Sequence, residues 1–160
     1  MPPAANEDAV CPALDDHSRV DEDESLQRYG LRPAGTDLDA IRQLLAEQTE
    51  LEHHRQGDAD TELMKLCCVQ LFNAGVLADV LAIWQAKESS WDAHCSIDVQ
   101  LLCGAGLRET KTYLQADGST MAAAALDYLQ RAEEAGDFAD FSIEAQSRWC
   151  FRYYLGHSNS

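Results

Sequence analysis

Three adjacent pairs of histidine and cysteine are the side chains of this sequence best suited to binding a metal ion. The six residues are His53, His54, Cys67, Cys68, His94 and Cys95. Tetrahedral zinc sites usually separate paired ligands by about two to five residues, and adjacent residues can rarely both ligate one ion. A site would therefore need one member of each pair, brought together by the fold. A zinc-binding enzyme or sensor is an alternative function, while the sequence by itself predicts no cofactor.

The segment WDAHCSIDVQLLCGAG, residues 91–106, concentrates polar ligand types and allows two interpretations. It could form a metal or thiol site, or it could be one amphipathic helix over residues 91–104 that glycine ends. At helical spacing one apolar face would carry Trp91, Cys95, Val99, Leu102 and Cys103. This face places both cysteines where a core needs small side chains. The spacing favours the single helix.

Catalytic arrangements are not indicated by any motif. Cys95 and His94 are consecutive, and consecutive helical side chains point about 100° apart, so the histidine cannot activate the thiol as a nucleophile requires. The glycines of GAG, residues 104–106, have no following Lys-Ser or Lys-Thr of a phosphate-binding loop. We predict a protein without enzymatic activity.

The charge balance restricts the classes of partner. The 160 residues include 28 acidic side chains against 12 lysines and arginines, a net charge of −16. Nucleic acid and anionic membranes repel such a chain, whereas a basic protein is attracted to it. No apolar run is long enough to span a bilayer, and MPPAANEDAV has neither the basic nor the apolar region of a signal peptide. We expect a cytoplasmic protein that binds neither nucleic acid nor membranes.

The first 35 residues differ in composition from the remainder. Residues 1–35 hold all four prolines of the chain, the acidic run DEDES and a net charge of −5. Such a segment buries too little apolar surface to offset the entropy of ordering it. The sequence predicts a flexible or loosely docked acidic tail over residues 1–35 and a folded domain over residues 36–157. Near the end of the tail, Leu26, Tyr29 and Leu31 are candidates for a small apolar contact.

Apolar residues recur at helical spacing throughout the predicted domain. One helix begins near Thr36, where Thr36 and Asp39 resemble a capping box. Another spans about Asp60 to Ala74, with Gly75 in the C-terminal capping position. The last runs from about Ser142 to Leu155. No stretch alternates with the period of a strand, so we predict an all-α fold of about six or seven helices.

An internal repeat indicates how these helices are arranged. Ala-Gly occurs at residues 74–75, 105–106 and 135–136, and residues 69–86 match residues 99–116 at six of 18 positions. The segment EEAGDFADF, residues 133–141, resembles the inter-helix turn of tetratricopeptide repeats. The resemblance implies stacked helical hairpins, although the family's Trp-x-x-Leu-Gly-x-x-Tyr pattern and final proline are missing. Repeats of this kind predict a short right-handed α-solenoid.

The predicted last helix carries the candidate partner-binding residues. They are Arg148, Trp149, Phe151, Arg152, Tyr153 and Tyr154. Tryptophan, tyrosine and arginine are the residue types enriched at interface hot spots. Alternatively, this helix caps the solenoid and packs Trp149 and Tyr153 inward.

These features predict a non-catalytic protein-binding module, because solenoids mostly act by binding other proteins. The most specific version is an acidic inhibitor or immunity-type protein that masks a basic, nucleic-acid-cleaving toxin. A self-associating scaffold is a further alternative, in which the aromatic last helix forms a homodimer.

Overall fold

The computed structural model describes residues 20–156 of the chain, and all regular structure in this part is helical. Eight α-helices follow one another: α1 (Glu22–Tyr29), α2 (Thr36–His54), α3 (Thr61–Ala74), α4 (Val80–Lys87), α5 (Trp91–Ser96), α6 (Leu107–Asp117), α7 (Thr120–Glu134) and α8 (Ile143–Leu155). Short 3-10 helices span Leu77–Asp79 and Val99–Cys103. The all-α prediction is confirmed, with slightly more helices than expected. Among residues 20–156, no helix is both long enough and apolar enough to cross a bilayer.

Local capping residues begin and end several helices where the sequence predicts. The Asp60 side chain accepts a hydrogen bond from Leu63 N at 3.1 Å, which satisfies a free amide of the first turn of α3. Gly75 ends α3 in the left-handed conformation, with φ +68°. The Ser142 hydroxyl caps α8 in the same way as Asp60 caps α3. The predicted capping box at Thr36 is wrong, since Gly35 precedes α2 without a side-chain cap.

Helix α3 is the centre of the core. Nine of its residues, from Leu63 to Phe72, are buried, and it contacts α1, α2, α5 and the 3-10 helix Val99–Cys103. An apolar helix with every face covered is typical of a core element. The other helices therefore depend on α3 for a surface on which to bury their own apolar residues.

Residues 20–35 are folded, which differs from the flexible tail expected over residues 1–35. Helix α1 packs against α3, and Leu31 is 4% exposed. The Gln70 side-chain amide donates to Gly30 O at 2.7 Å, and the Asn73 amide donates to Leu31 O at the same distance. Two side chains of α3 thus supply hydrogen bonds that composition alone does not reveal. The first part of the predicted tail, residues 1–19, lies outside the described residues.

Helix α8, at the other end of the described chain, also contacts α3. The Ser147 hydroxyl lies 3.1 Å from Asn73 Oδ1 and 3.3 Å from Arg32 Nη2, and Cys150 of the same helix is 1% exposed. The two ends of the described chain therefore meet on one helix. In a solenoid, each unit contacts only its neighbours in sequence. Helices that pack on one another are compatible with a helical repeat, while the right-handed solenoid stays a prediction.

The single helix predicted over residues 91–104 is wrong. Helix α5 ends at Ser96, and Ile97 and Asp98 are extended, with ψ of 110° and 143°. The buried Lys87 ammonium donates to His94 O at 2.7 Å and to Ile97 O. These bonds satisfy carbonyls at the break, which the sequence periodicity cannot show.

The repeated segments adopt different structures. Residues 69–74 end the α-helix α3, whereas the corresponding residues 99–103 form a 3-10 helix. Gly104, which follows that 3-10 helix, has ordinary helical φ and ψ. A methyl group there would overlap the carbonyl of Phe72, so glycine lets two backbones come into contact.

A partly buried ion pair joins α2 to the start of α4. Arg42 Nε lies 2.8 Å from Asp79 Oδ1, and Arg42 Nη2 lies 3.0 Å from Asp79 Oδ2. Asp79 is 6% exposed, so its carboxylate depends on the guanidinium to replace its lost hydration.

We expect Arg42→Ala to lower the free energy of unfolding by about 2–3 kcal/mol, because it leaves a buried carboxylate unpaired. Chemical denaturation at pH 7 measures this difference. The matched control is Arg55→Ala, which removes an exposed pair with Asp58 at 3.7 Å and should cost less than about 1 kcal/mol. Equal losses in the two variants would contradict the role given to the Asp79 pair.

Candidate functional surfaces

The six candidate metal ligands lie in three separate environments. Cys67 and Cys68 are buried in α3, His53 and His54 are exposed at the end of α2, and α5 carries a half-buried His94 and an exposed Cys95. Within the described residues, no group of three or more histidine, cysteine or carboxylate side chains is arranged to hold a metal ion. The zinc alternative gains no support from this placement.

His94 is held by contacts on both ring nitrogens and on one ring face. Its Nδ1 lies 3.0 Å from Glu88 Oε2, and its Nε2 lies 3.4 Å from the Tyr128 hydroxyl. The Trp91 ring stacks on the imidazole with centroids 5.9 Å apart and planes inclined by 13°. Helices α4, α5 and α7 meet through these side chains. The contacts fix the orientation of His94 and, through it, the position of Trp91.

Glu88, His94 and Tyr128 form a carboxylate–imidazole–hydroxyl series, which is also the order of groups in nucleophilic triads. Such chemistry needs a hydroxyl that loses its proton readily. Burial and the neighbouring Glu88 carboxylate instead raise the pKa of the Tyr128 phenol. A raised pKa keeps Tyr128 neutral at physiological pH, so this geometry favours a structural support over an activated nucleophile.

The most exposed large apolar side chain of the described residues is Trp91, at 69%. Ser90 caps α5 by accepting from Ala93 N at 3.1 Å, which makes Trp91 the first residue of the helix. Ser90 in turn donates to the buried Glu52 carboxylate at 2.6 Å. The helix start is therefore anchored to α2, and the indole extends outward from a fixed position.

Two exposed carboxylates belong to the same contact cluster as this indole. Asp92 follows Trp91 in the chain, and Glu88 contacts the His94 ring on which the indole stacks. We use the name Trp91 surface for Glu88, Trp91, Asp92, His94 and Tyr128. Sequence reasoning missed it because the predicted single helix placed Trp91 in the core. The sequence feature that could have revealed the exposure of Trp91 is the preceding Ser90. A serine that caps a helix places the next residue in the first turn, at the solvated end of that helix.

A second exposed aromatic pair lies on α8. Trp149 is 45% exposed and Tyr153 is 50% exposed, and their rings stack with centroids 5.4 Å apart and planes inclined by 11°. Lys65 Nζ lies 4.7 Å from the Tyr153 ring centroid and 5.9 Å from that of Trp149. This pair faces solvent to a large extent, unlike the inward packing of the capping alternative.

The other four partner-binding candidates divide between solvent and the interior. Arg148 and Arg152 are exposed, and neither forms an ion pair with the described residues. Phe151 is half-buried beneath the Arg32 guanidinium, 5.0 Å from its ring centroid. Tyr154 is half-buried, and burial raises the pKa of its phenol. The exposed part of α8 is therefore cationic and aromatic. We use the name α8 surface for Arg32, Lys65, Arg148, Trp149, Arg152 and Tyr153.

Comparisons with known proteins add no relationship: no protein-family model matches the chain, and neither the curated proteins nor the solved structures gave a significant match.

Thiol reactivity should follow the burial of the cysteines. Burial raises the pKa of Cys67 and Cys103 to about 12 and that of Cys150 to about 11, whereas Cys95 is exposed. Because the thiolate is the reactive form, we expect a thiol reagent at pH 8 to modify Cys95 at least tenfold faster than the buried cysteines. Peptide mass spectrometry over a time course locates each adduct.

The control for this measurement is the same time course in denaturant, where all cysteines should react at similar rates. Fast native labelling of Cys67 in α3, or of Cys103 in the 3-10 helix Val99–Cys103, would show that the core around α3 is not closed.

Proposed function

We propose that this protein is a non-catalytic binding module for a basic protein, which it contacts through the Trp91 surface. The observation that carries the proposal is an exposed indole stacked on a histidine whose two ring nitrogens are themselves engaged. Stacking restricts the indole before binding, so the exposed tryptophan supplies contact area with a smaller loss of side-chain entropy.

The charges around the indole select the partner. Asp92 is next to Trp91 in the chain and Glu88 holds the ring on which Trp91 stacks, while the Lys87 ammonium is buried at 3% exposure. Arginine or lysine side chains of a partner could pair with these carboxylates and lie over the indole face. The net charge of −16 would accelerate the encounter at low ionic strength.

The α8 surface is less suited to the same partner. Its cations Lys65, Arg148 and Arg152 would repel a basic protein, although all the partner-binding candidates of the sequence lie on this helix. We therefore assign the basic partner to the Trp91 surface.

We extend the proposal to the location of the protein, the type of its activity and the arrangement of its helices. The module acts in the cytoplasm as an acidic inhibitor or immunity-type protein, and its partner is a basic protein whose active surface it covers. Its helices form a short solenoid with tetratricopeptide-like packing. Small size and acidity support the first statement, and an all-helical fold whose helices pack on one another is compatible with the second.

Affinity capture from the native host's lysate at low salt tests the proposal. We expect immobilised wild-type protein to retain one basic protein at near-equal stoichiometry and to release it as salt rises. Trp91→Ala should weaken binding of the identified partner by about 2 kcal/mol, or roughly 30-fold in Kd, when titrated with purified components. Glu88→Gln combined with Asp92→Asn should weaken binding and flatten its salt dependence.

Trp149→Ala is the matched control, since it removes an exposed stacked tryptophan from the other surface. It should bind the partner like the wild type, and circular dichroism confirms that each variant is folded. Retention of no basic protein, or equal binding by Trp91→Ala and the wild type, would overturn the proposal.

A further inference from the structure

The α8 surface is a cationic patch on a strongly acidic protein. Arg148 and Arg152 are one helical turn apart, and Trp149 and Tyr153 form the adjacent row, so the four side chains make a compact exposed block. Lys65 lies against the aromatic side of this block. Arg32 lies over Phe151 on the other side. Cations thus flank the stacked rings on both sides.

We propose that the α8 surface binds the N-terminal segment of the same chain, residues 1–19. The segment has the complementary composition: four carboxylates, Glu7, Asp8, Asp15 and Asp16, and three of the four prolines of the chain, Pro2, Pro3 and Pro12. Carboxylates form charge-assisted hydrogen bonds with guanidinium groups. Proline rings dock on exposed aromatic side chains, as in the grooves that recognise proline-rich peptides.

The point at which the segment joins the described chain supports this occupant. Val20 leads directly into α1, where the Asp21 side chain caps the helix through Glu24 N at 2.9 Å. Helix α1 packs against α3, which carries Lys65, and Arg32, three residues after α1, lies over Phe151 of α8. The segment therefore joins the fold beside the α8 surface.

Length and connectivity make the contact feasible. Nineteen residues reach up to about 60 Å when extended, which exceeds the span of one helix face. A tethered ligand of this kind acts at an effective concentration of the order of millimolar, so weak ionic and aromatic contacts suffice to hold it. Acidic side chains also border the patch: Glu144 lies one turn before Arg148, and Glu22 and Glu62 lie near Tyr154. The arginines and stacked rings between these borders are therefore the docking site.

Paramagnetic broadening in the full-length chain tests the proposal. Cys11 lies within the segment, and among the described cysteines only Cys95 is exposed. In the Cys95→Ser variant, a nitroxide is attached to Cys11 and the protein is labelled with ¹⁵N. The three tryptophan indole N–H signals are then compared in the oxidised and reduced states of the label, and Trp149→Phe assigns the relevant signal.

We expect selective loss of the Trp149 indole intensity, with Trp91 and Trp84 affected less. The loss should disappear in 1 M salt and in the variant that combines Arg148→Gln with Arg152→Gln. It should persist in Arg55→Gln, which removes an exposed arginine elsewhere. Equal broadening of all three indoles, or none, would overturn the proposal.

A mixing experiment distinguishes docking within one chain from docking between two copies. Protein that carries the nitroxide but no ¹⁵N is mixed with ¹⁵N protein that carries no nitroxide. Trp149 broadening in that mixture would overturn the intramolecular assignment, and its absence supports it. The experiment involves no basic partner, so its result is independent of the function proposed for the Trp91 surface.

Discussion

A single buried ammonium group fixes the course of the chain on the C-terminal side of Trp91, the most exposed large apolar residue of the described chain. Lys87 is 3% exposed, donates hydrogen bonds to the carbonyls of His94 and Ile97, and lies 5.6 Å from the ring centroid of Tyr128. Burial lowers its pKa, while the carboxylates of Asp98 and Glu88 act in the opposite direction. A buried charge is costly unless its donors are satisfied. Carbonyls released where α5 ends provide that satisfaction.

The end of α5 and the burial of Lys87 therefore stabilise each other. Without the break at Ile97 and Asp98, the carbonyls of the last turn would accept bonds within the helix and be unavailable to the ammonium. With the break, the chain after Ser96 turns so that Val99 and Leu102 are buried while Trp91 remains in solvent. The hydrogen bonds from Lys87 to the carbonyls of His94 and Ile97 therefore support both the burial of Val99 and Leu102 and the exposure of Trp91.

Sequence reasoning succeeded where structure is set by neighbouring residues and failed where it is set by distant ones. Asp60, Gly75 and Ser142 were predicted correctly as helix boundaries, because caps act within one turn. The apolar residues Leu26, Tyr29 and Leu31 indicated a contact near the end of the expected tail, and they do pack on the core. The hydrogen bonds from Gln70 and Asn73, some 40 residues away, are not reported by any local pattern. The composition of α8 indicated that some of its large side chains are exposed, but it left open whether Trp149 and Tyr153 are among them. That answer, and the contacts of the α8 charges, required coordinates. The Trp91 surface was missed because apolar periodicity continues across the break at Ile97.

Gly104 allows two parts of the core to approach to backbone contact, because it has no side chain to hold them apart. Its backbone angles suit any residue, so the glycine is required for room and not for conformation. Replacement by any larger residue would force α3 and the 3-10 helix Val99–Cys103 apart, and the core residues between them would lose contact with their neighbours. During divergence from a common ancestor, this position should therefore change more slowly than the glycines in open turns, and a glycine here would mark distant members of the lineage after overall similarity has faded.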